Sequence, residues 1–203
     1  YADFYKDLMP EHGYNAETGI KFTLKDNLSS KINFFYMLMH DEIAYSSISF
    51  RNENMNNTKR IGGNLSIDYK PLDFMKFNFS LTYVNAYFAE GINQNKKIPL
   101  NAEFKGNMQI DFNLPFDTII SFDYSYTGSQ FQGNDYSNSL KQIPAINLLG
   151  ATIKYTPNKL NNCLSVIARF NNILNISYPE YVTYNCYYPA KQFNFNLSAS
   201  YKY

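Results

Sequence analysis

The chain has 203 residues, 45% of them hydrophobic and 17% charged, with a formal net charge of +1. That near-neutral balance, with no basic stripe or cluster, excludes an electrostatic case for nucleic acid, and no nucleic-acid partner is expected. A mean hydropathy of −0.39 and the lack of any run of about 18 apolar residues exclude a transmembrane helix. Strands that cross lipid with one face polar remain open.

Aromatic residues make up 18% of the chain, with 19 Tyr, 17 Phe and no Trp. An ordinary soluble core needs fewer, and such rings gather where membrane barrels meet the two interfaces. Without Trp, Tyr and Phe would have to form both belts.

In chain order, Tyr1 to Gly13 is expected to lie in an external loop, after which the sequence reads in twos. Ala16, Thr18, Ile20, Phe22 and Leu24 alternate with Asn15, Glu17, Gly19, Lys21 and Thr23. Ile32, Phe34, Tyr36 and Leu38 follow, but Phe35, Met37 and Met39 fill the other phase, so this strand is the least clean. Ile61, Gly63, Leu65, Ile67 and Tyr69 come next, then Met75, Phe77, Phe79, Leu81 and Tyr83 against Lys76, Asn78, Ser80 and Thr82. Phe104, Met108, Ile110 and Phe112 oppose Glu103, Lys105, Asn107, Gln109 and Asp111, and Ile120, Phe122, Tyr124 and Tyr126 oppose Ser121, Asp123, Ser125 and Thr127. Leu149, Ala151, Ile153 and Tyr155 precede Leu164, Val166, Ala168 and Phe170. In the tail, Phe193, Phe195, Leu197, Ala199, Tyr201 and Tyr203 face one way and Asn194, Asn196, Ser198, Ser200 and Lys202 the other. A strand with one oily and one wet face, about 9 to 11 residues long, crosses a bilayer when tilted.

The connections separate a membrane barrel from a soluble sandwich. Lys25-Asp26-Asn27, Lys70 to Asp73, Asn113 to Asp117 and Thr156 to Asn162 are short and rich in turn formers. Alternating with them are four long links, roughly Asp41 to Lys59, Ala86 to Ala102, Gly128 to Pro144 and Asn171 to Pro189. Short turns on the periplasmic side and long loops outside is the outer-membrane arrangement, and a sandwich has no reason to sort its loops this way. The expected fold is therefore all-β, an antiparallel transmembrane β-barrel in the bacterial outer membrane. Bacterial single-chain barrels have even strand numbers with both ends in the periplasm. About nine strands beginning outside, with no signal peptide ahead of Tyr1, are expected to be a fragment that forms an open sheet when alone.

The sequence resembles the TonB-dependent outer-membrane receptors. Leu8-Met9-Pro10-Glu11 followed by Asn15-Ala16-Glu17-Thr18-Gly19-Ile20-Lys21 is similar to that family's "L-x-P-E, then E-x-G-x-K" passage, and Phe35-Tyr36 with Asp41-Glu42-Ile43 to its next strand and loop. Lys97-Ile98-Pro99-Leu100-Asn101 and Ile143 to Leu148 resemble two strand openings. Phe170-Asn171-Asn172-Ile173-Leu174-Asn175, Tyr178, Tyr187-Tyr188-Pro189 and the aromatic tail resemble the family's C-terminal signature, with Lys191 in place of Arg and Tyr203 in place of Phe. The order and spacing of these words span essentially the whole chain.

The resemblance implies that residues 1–203 are the C-terminal segment, about the last nine strands, of a barrel of about 22 with a plugged lumen. It implies energised import of a scarce solute, such as a siderophore–metal chelate or cobalamin, with no cofactor of its own. The partners it implies are an N-terminal plug and the remaining strands, a TonB-type energising complex reached through that other part, outer-membrane lipid and a small-molecule substrate. Neither the plug nor the TonB box is expected within this chain. Phe193, Tyr201 and Tyr203 stand where the family carries its barrel-assembly signal.

Candidate ligand contacts lie in the long loops: Asp41, Glu42, Asp135, Tyr136, Tyr181, Tyr184, Tyr187 and Tyr188. The tyrosines offer rigid area with a polar tip and would line a vestibule, or else form the upper aromatic belt; the acids contact ligand or are solvated surface. The lumen residues Lys76, Glu103, Lys105, Asp111, Asp123 and Arg169 are expected to bond the plug. His12 and His40 with Asp41 suggest a hydrolase only weakly, since no nucleophile elbow or paired-carboxylate spacing accompanies them, and no enzyme is expected. Two His and two Cys without ligand spacing give no metal site. A small stand-alone passive pore or adhesin and a soluble β-sandwich binding module are the alternatives.

Three structural expectations follow from the barrel reading. The first and last strands should not pair with each other. Cys163 and Cys186, separated by a membrane-crossing strand, should be thiols, because a disulfide needs Cα atoms within about 7 Å. Phe77, Phe79, Leu81, Phe122, Tyr124, Leu164, Val166, Phe195 and Leu197 should lie on an uncovered face, with Asn78, Ser80, Asp123, Ser165, Asn194 and Asn196 on the other.

Overall fold

The computed structural model describes residues 8–46, 49–158 and 163–202. Tyr203 and Tyr1 to Asp7 lie outside the described residues, as does part of the turn expected between Thr156 and Asn162. Among the described residues there is no α-helix, and no helix long and apolar enough to cross a membrane.

Nine strands form one antiparallel sheet in chain order: β1 (His12–Leu24), β2 (Leu28–His40), β5 (Thr58–Leu72), β6 (Met75–Phe88), β7 (Phe104–Leu114), β8 (Thr118–Thr127), β9 (Ile146–Tyr155), β10 (Leu164–Asn171) and β13 (Asn194–Tyr201). All nine expected strands are present. Several are longer than expected, β5 and β6 reaching 15 and 14 residues, more than the roughly 9 to 11 that a tilted crossing needs. The surplus stands beyond the crossing and carries the long connections. Two short hairpins inside those connections, β3–β4 (Ile43–Ser46, Arg51–Asn54) and β11–β12 (Pro179–Thr183, Cys186–Pro189), were not expected from the sequence.

Register turns the alternation along each strand into rows across the sheet. One row runs Leu28, Tyr69, Phe77, Ile110, Phe122, Ala151, Phe170, Phe195, apolar at every step over eight strands. An adjacent row of the opposite phase runs Lys76, Asp111, Ser121, Thr152, Arg169, Asn196, polar at every step. A one-residue slip anywhere would exchange the rows, so the two-sided environment fixes the register.

Neither face is covered. Along the wall each strand packs against its ladder neighbours, Phe195 and Leu197 are 64% and 68% exposed, and none of the nine residues assigned to the oily face is buried. A sandwich would bury that set between two sheets, so the soluble-module alternative is excluded as a fold. The sheet is open, with β1 and β13 at opposite ends of the order. Cys163 and Cys186 are both thiols.

The mixed phase of β2 has a local explanation. Phe35 projects on the polar face, directly opposite Gly62, and its ring lies within 2.6 Å of where a Gly62 Cβ would stand. The glycine gives the ring a seat, and an apolar residue on the wet face is thereby packed against backbone.

The two faces make opposite demands on charge. Arg in place of Phe79, in the middle of β6, should lower the stability of the full-length receptor in lipid by about 2 to 4 kcal/mol, while Arg at Asn78 costs little. Urea titration of the vesicle-inserted protein measures the difference, and equal tolerance of the two substitutions contradicts the assignment of faces.

Candidate functional site

Apart from the wall glycines Gly62, Gly106 and Gly150 and Pro157 in a short turn, the buried residues among those described lie at one end of the sheet. Ala86, Phe88, Ala102, Ile143 and Val182 are the buried apolar side chains and Thr58, Gln132, Asp135 and Asn172 the buried polar ones. All belong to the long connections or to the strand ends that enter them. Four connections meet there: the one carrying β3–β4, residues 89–103, residues 128–145 and the one carrying β11–β12.

Backbone geometry explains how irregular chain can pack so closely. Thirteen non-glycine residues among those described have positive φ, and six of them are Asn: Asn95, Asn134, Asn138, Asn172, Asn175 and Asn185. Asn tolerates the left-handed region because its short amide bonds nearby backbone. Asn172 shows this, its Nδ2 donating to the Ile176 carbonyl at 2.8 Å and its Oδ1 accepting from the Ile176 N–H at 2.9 Å. Tyr184 and Asn185, with φ of 47° and 59°, form the two-residue turn that joins Thr183 to its partner Cys186, the handedness a tight hairpin requires.

Gln132 bolts two connections together. Its amide Nε2 donates to the Lys141 carbonyl at 2.7 Å and to Asn185 Oδ1 at 3.0 Å, and its Oε1 accepts from the Asn185 N–H at 2.9 Å. Beside it the Gly133 N–H donates to the Val182 carbonyl and the Thr183 hydroxyl to the Gly133 carbonyl. Asn138 exchanges bonds with both backbone groups of Lys97, and the Tyr136 hydroxyl donates to the Tyr45 carbonyl at 3.1 Å. Through these contacts residues 128–145 hold the other three connections.

Asp135, expected as a ligand contact or as solvated surface, is not solvated surface. It is 4% exposed, and its carboxylate accepts the Ser139 and Leu140 N–H groups at 2.9 and 3.0 Å. The charge caps its own loop. Asp41 is half-buried at a left-handed position, and its carbonyl receives the Asn54 amide.

Glu42 sits between Arg60, at 2.6 Å, and the Thr58 hydroxyl, at 2.5 Å. Burial pushes its carboxyl up, but the hydrogen bonds from Arg60 and Thr58 and the Arg60 charge outweigh that and hold it below its ordinary value of 4.5. Arg60 was not singled out in the sequence; its position in a strand gave no hint of a partner in the following loop's predecessor. Tyr136 stands edge-on to Phe88, ring centroids 5.9 Å apart. Burial, with Tyr184 and Tyr181 nearby, pushes its phenol up, so it remains a neutral donor.

A cleft of about 190 Å³ opens among these groups, lined in part by Glu42, Thr58, Phe88, Tyr136 and Tyr181. Of the expected contacts it gathers Glu42, Tyr136 and Tyr181. Tyr184, Tyr187 and Tyr188 are exposed on the β11–β12 hairpin and not on its wall, although the Tyr188 ring packs 5.8 Å from that of Tyr181. Aromatic faces beside one compensated carboxylate suit a planar or partly apolar solute held by stacking and hydroxyl donors. No group of three or more His, Cys, Asp or Glu among the described residues is placed to hold a metal ion.

A family model for the TonB dependent receptor-like β-barrel matches residues 1–173. The chain belongs to the TonB-dependent receptor β-barrel family. It is therefore a chain of an outer-membrane transport family. No curated protein matches it. Among solved structures, the unliganded ferric citrate transporter FecA superposes with a TM-score of 0.80 at 20% identity, over 96% of this chain and 32% of that one. The ferric-catecholate import receptor Fiu of E. coli K12 gives 0.73 at 16%, over 96% and 28%. The siderophore receptor PiuA of Acinetobacter baumannii gives 0.77 at 16%, over 94% and 28%. Such identities establish the fold alone, and the chain spans about three-tenths of the length of these receptors.

Two outcomes test the loop cluster. Gln132→Ala strands the Asn185 N–H and the Lys141 carbonyl, so the β11–β12 hairpin should lose about 1 to 3 kcal/mol of local stability, read as faster hydrogen exchange at Asn185. Because the Glu42 carboxyl is held low, its contribution is complete above pH 4.5 and is lost as pH falls through the folded value. Proteolytic nicking of the β3–β4 hairpin should therefore rise in acid, whereas Glu42→Gln should be nicked faster at neutral pH and show little further change.

Proposed function

We propose that this chain forms the C-terminal part of the barrel of an active outer-membrane transporter that imports a scarce chelated solute, a siderophore–metal complex or cobalamin. The observation that carries the reading is the loop cluster: four connections locked into one body at one end of an amphipathic strand wall, with an aromatic cleft in it. An adhesin has no need of a cleft there, and a passive pore has no need to wall its mouth. The solutes named for Fiu, FecA and PiuA, ferric catecholate, ferric citrate and siderophores, support a metal chelate as the cargo class.

In this reading the loop cluster is extracellular and the short turns are periplasmic. β1 and β13 each carry a row of unpaired backbone groups, which hydrocarbon penalises by several kcal/mol apiece. Further strands of the same receptor satisfy them, and its plug bonds the polar rows that include Lys76, Asp111 and Arg169. The energising complex acts through that other part. Tyr136, Tyr181 and Glu42 hold solute in the cleft, while Asp41, Tyr184, Tyr187 and Tyr188 form the rim that solute meets first.

Uptake of ferric chelates and of cobalamin by cells carrying the full-length protein tests this. Uptake should require the inner-membrane motor, and Tyr136→Ala or Tyr181→Ala should weaken it about tenfold, as expected for an aromatic side chain that anchors a solute. Uptake that continues without the motor makes the protein a passive pore and overturns the proposal.

A further inference from the structure

The oily face is bare at two glycines, Gly106 on β7 and Gly63 on β5, and the trough opens at Gly63, across β2, β5 and β6. Gly63 faces outward between Phe34 on β2 and Tyr83 on β6. A Cβ there would lie 2.9 Å from the Asn33 carbonyl oxygen and 3.1 Å from the Phe34 ring, so the position is kept bare by the close approach of β2. The missing side chain leaves a trough of about 430 Å³ walled by Ile32, Phe34, Ile61, Leu65, Leu81 and Tyr83. The next row on this face, Ile32, Leu65, Leu81, Gly106 and Tyr126, is bare again at Gly106, and the row after it, Ile67, Phe79, Met108 and Tyr124, has a side chain at every position.

Above the trough the same face changes character. Lys59 stands four residues from Gly63, about 13 Å along the strand, between Leu38 and Tyr87. Its ammonium makes no hydrogen bond or ion pair among the described residues. His40 follows on β2, its ring stacked on that of His12 at 5.0 Å and met edge-on by Tyr14. Of the acids around it, Glu42 is engaged by Arg60 and Thr58, Glu90 accepts the Asn57 N–H and Glu11 the Ile43 N–H, and none of the three forms an ion pair with Lys59. Carbon below and an uncompensated cation with polar rings above is the profile of an amphiphile with an anionic head.

We propose that the outer face of β2, β5 and β6 holds one membrane lipid in a fixed place, an acyl chain in the Gly63 trough and its phosphate on Lys59 beside His40. The occupant is lipid rather than protein because the trough is continuous with the band that meets hydrocarbon, is too narrow for a helix between side chains on adjacent strands, and is headed by a lone cation at the level where Tyr14 and Tyr87 mark the interface. The proposal rests on the barrel reading of this chain and is independent of what the receptor transports.

Full-length receptor, stripped of lipid in detergent and titrated with phosphatidylglycerol, tests it by native mass spectrometry. One lipid should bind with about tenfold preference over a diacylglycerol of the same chains. Lys59→Glu should abolish that preference. Leu65→Trp, which fills the trough, should weaken binding of both lipids, and Ile153→Trp, on the same face at β9, should change nothing. Heat-modified mobility on gels reports that each variant is folded. Equal binding by wild type, Lys59→Glu and Leu65→Trp overturns the proposal, as does equal loss in Ile153→Trp, which signals only general coating by lipid. A receptor that remains soluble and folded without detergent refutes the barrel reading instead, and one that binds the lipid but imports nothing refutes only the transport reading.

Discussion

Everything in this structure depends on pairing backbone groups where water is not available to pair them. A strand that crosses hydrocarbon must give every N–H and C=O to a neighbouring strand, so the sheet cannot fray, slip or leave a strand out within its width. The ladder runs from β1 through all nine strands to β13, with one register shift, between Tyr69 and Leu72 in the β5–β6 pair. Once pairing is fixed, side chains have only two directions, and the rows of opposite character follow from register alone.

A wall one strand thick cannot have a core of the ordinary kind. Among the described residues its oily face is uncovered, and its wet face meets little besides solvent. Most of the burial among the described residues therefore moves to the cluster of long connections, where chain packs on chain. There Phe88 and Val182 are nearly inaccessible, and the buried polar groups are matched: no buried side-chain nitrogen or oxygen among the described residues lacks a partner. Gln132 is the clearest case, because an amide with two donors and an acceptor meets two carbonyl-type oxygens and one N–H. Holding irregular backbone in this way costs conformational freedom, and it is worthwhile only where a shaped surface is needed.

The wall was legible in the sequence because period-two alternation is a one-dimensional record of two environments. The tail from Phe193 shows it, although the strand itself begins at Asn194 and ends at Tyr201. The cluster was not legible, because its contacts link residues distant in sequence and follow no period. Asp135 reads as an ordinary surface acid, and only the fold of residues 135–140 brings two N–H groups to its carboxylate. The β3–β4 and β11–β12 hairpins are four or five residues per strand, too short for alternation to rise above chance. The frequent Asn residues in the loops were a usable sign, since left-handed backbone favours them, but a sign of packing rather than of which loops meet.

Gly62 and Gly63 show how a single strand can serve both environments. Successive residues face opposite sides, so one bare position opens inward and the other outward. Inward, Gly62 lets Phe35 lie on backbone, which explains why β2 tolerates an aromatic ring in its polar phase. Outward, Gly63 leaves the trough below Lys59. Interior glycine weakens a strand, and two in succession at the middle of the longest strand would be a poor choice for stability alone. The inner glycine is accounted for by the ring it seats, and the outer one by the close approach of β2, which leaves no room for a Cβ and opens the trough beside it.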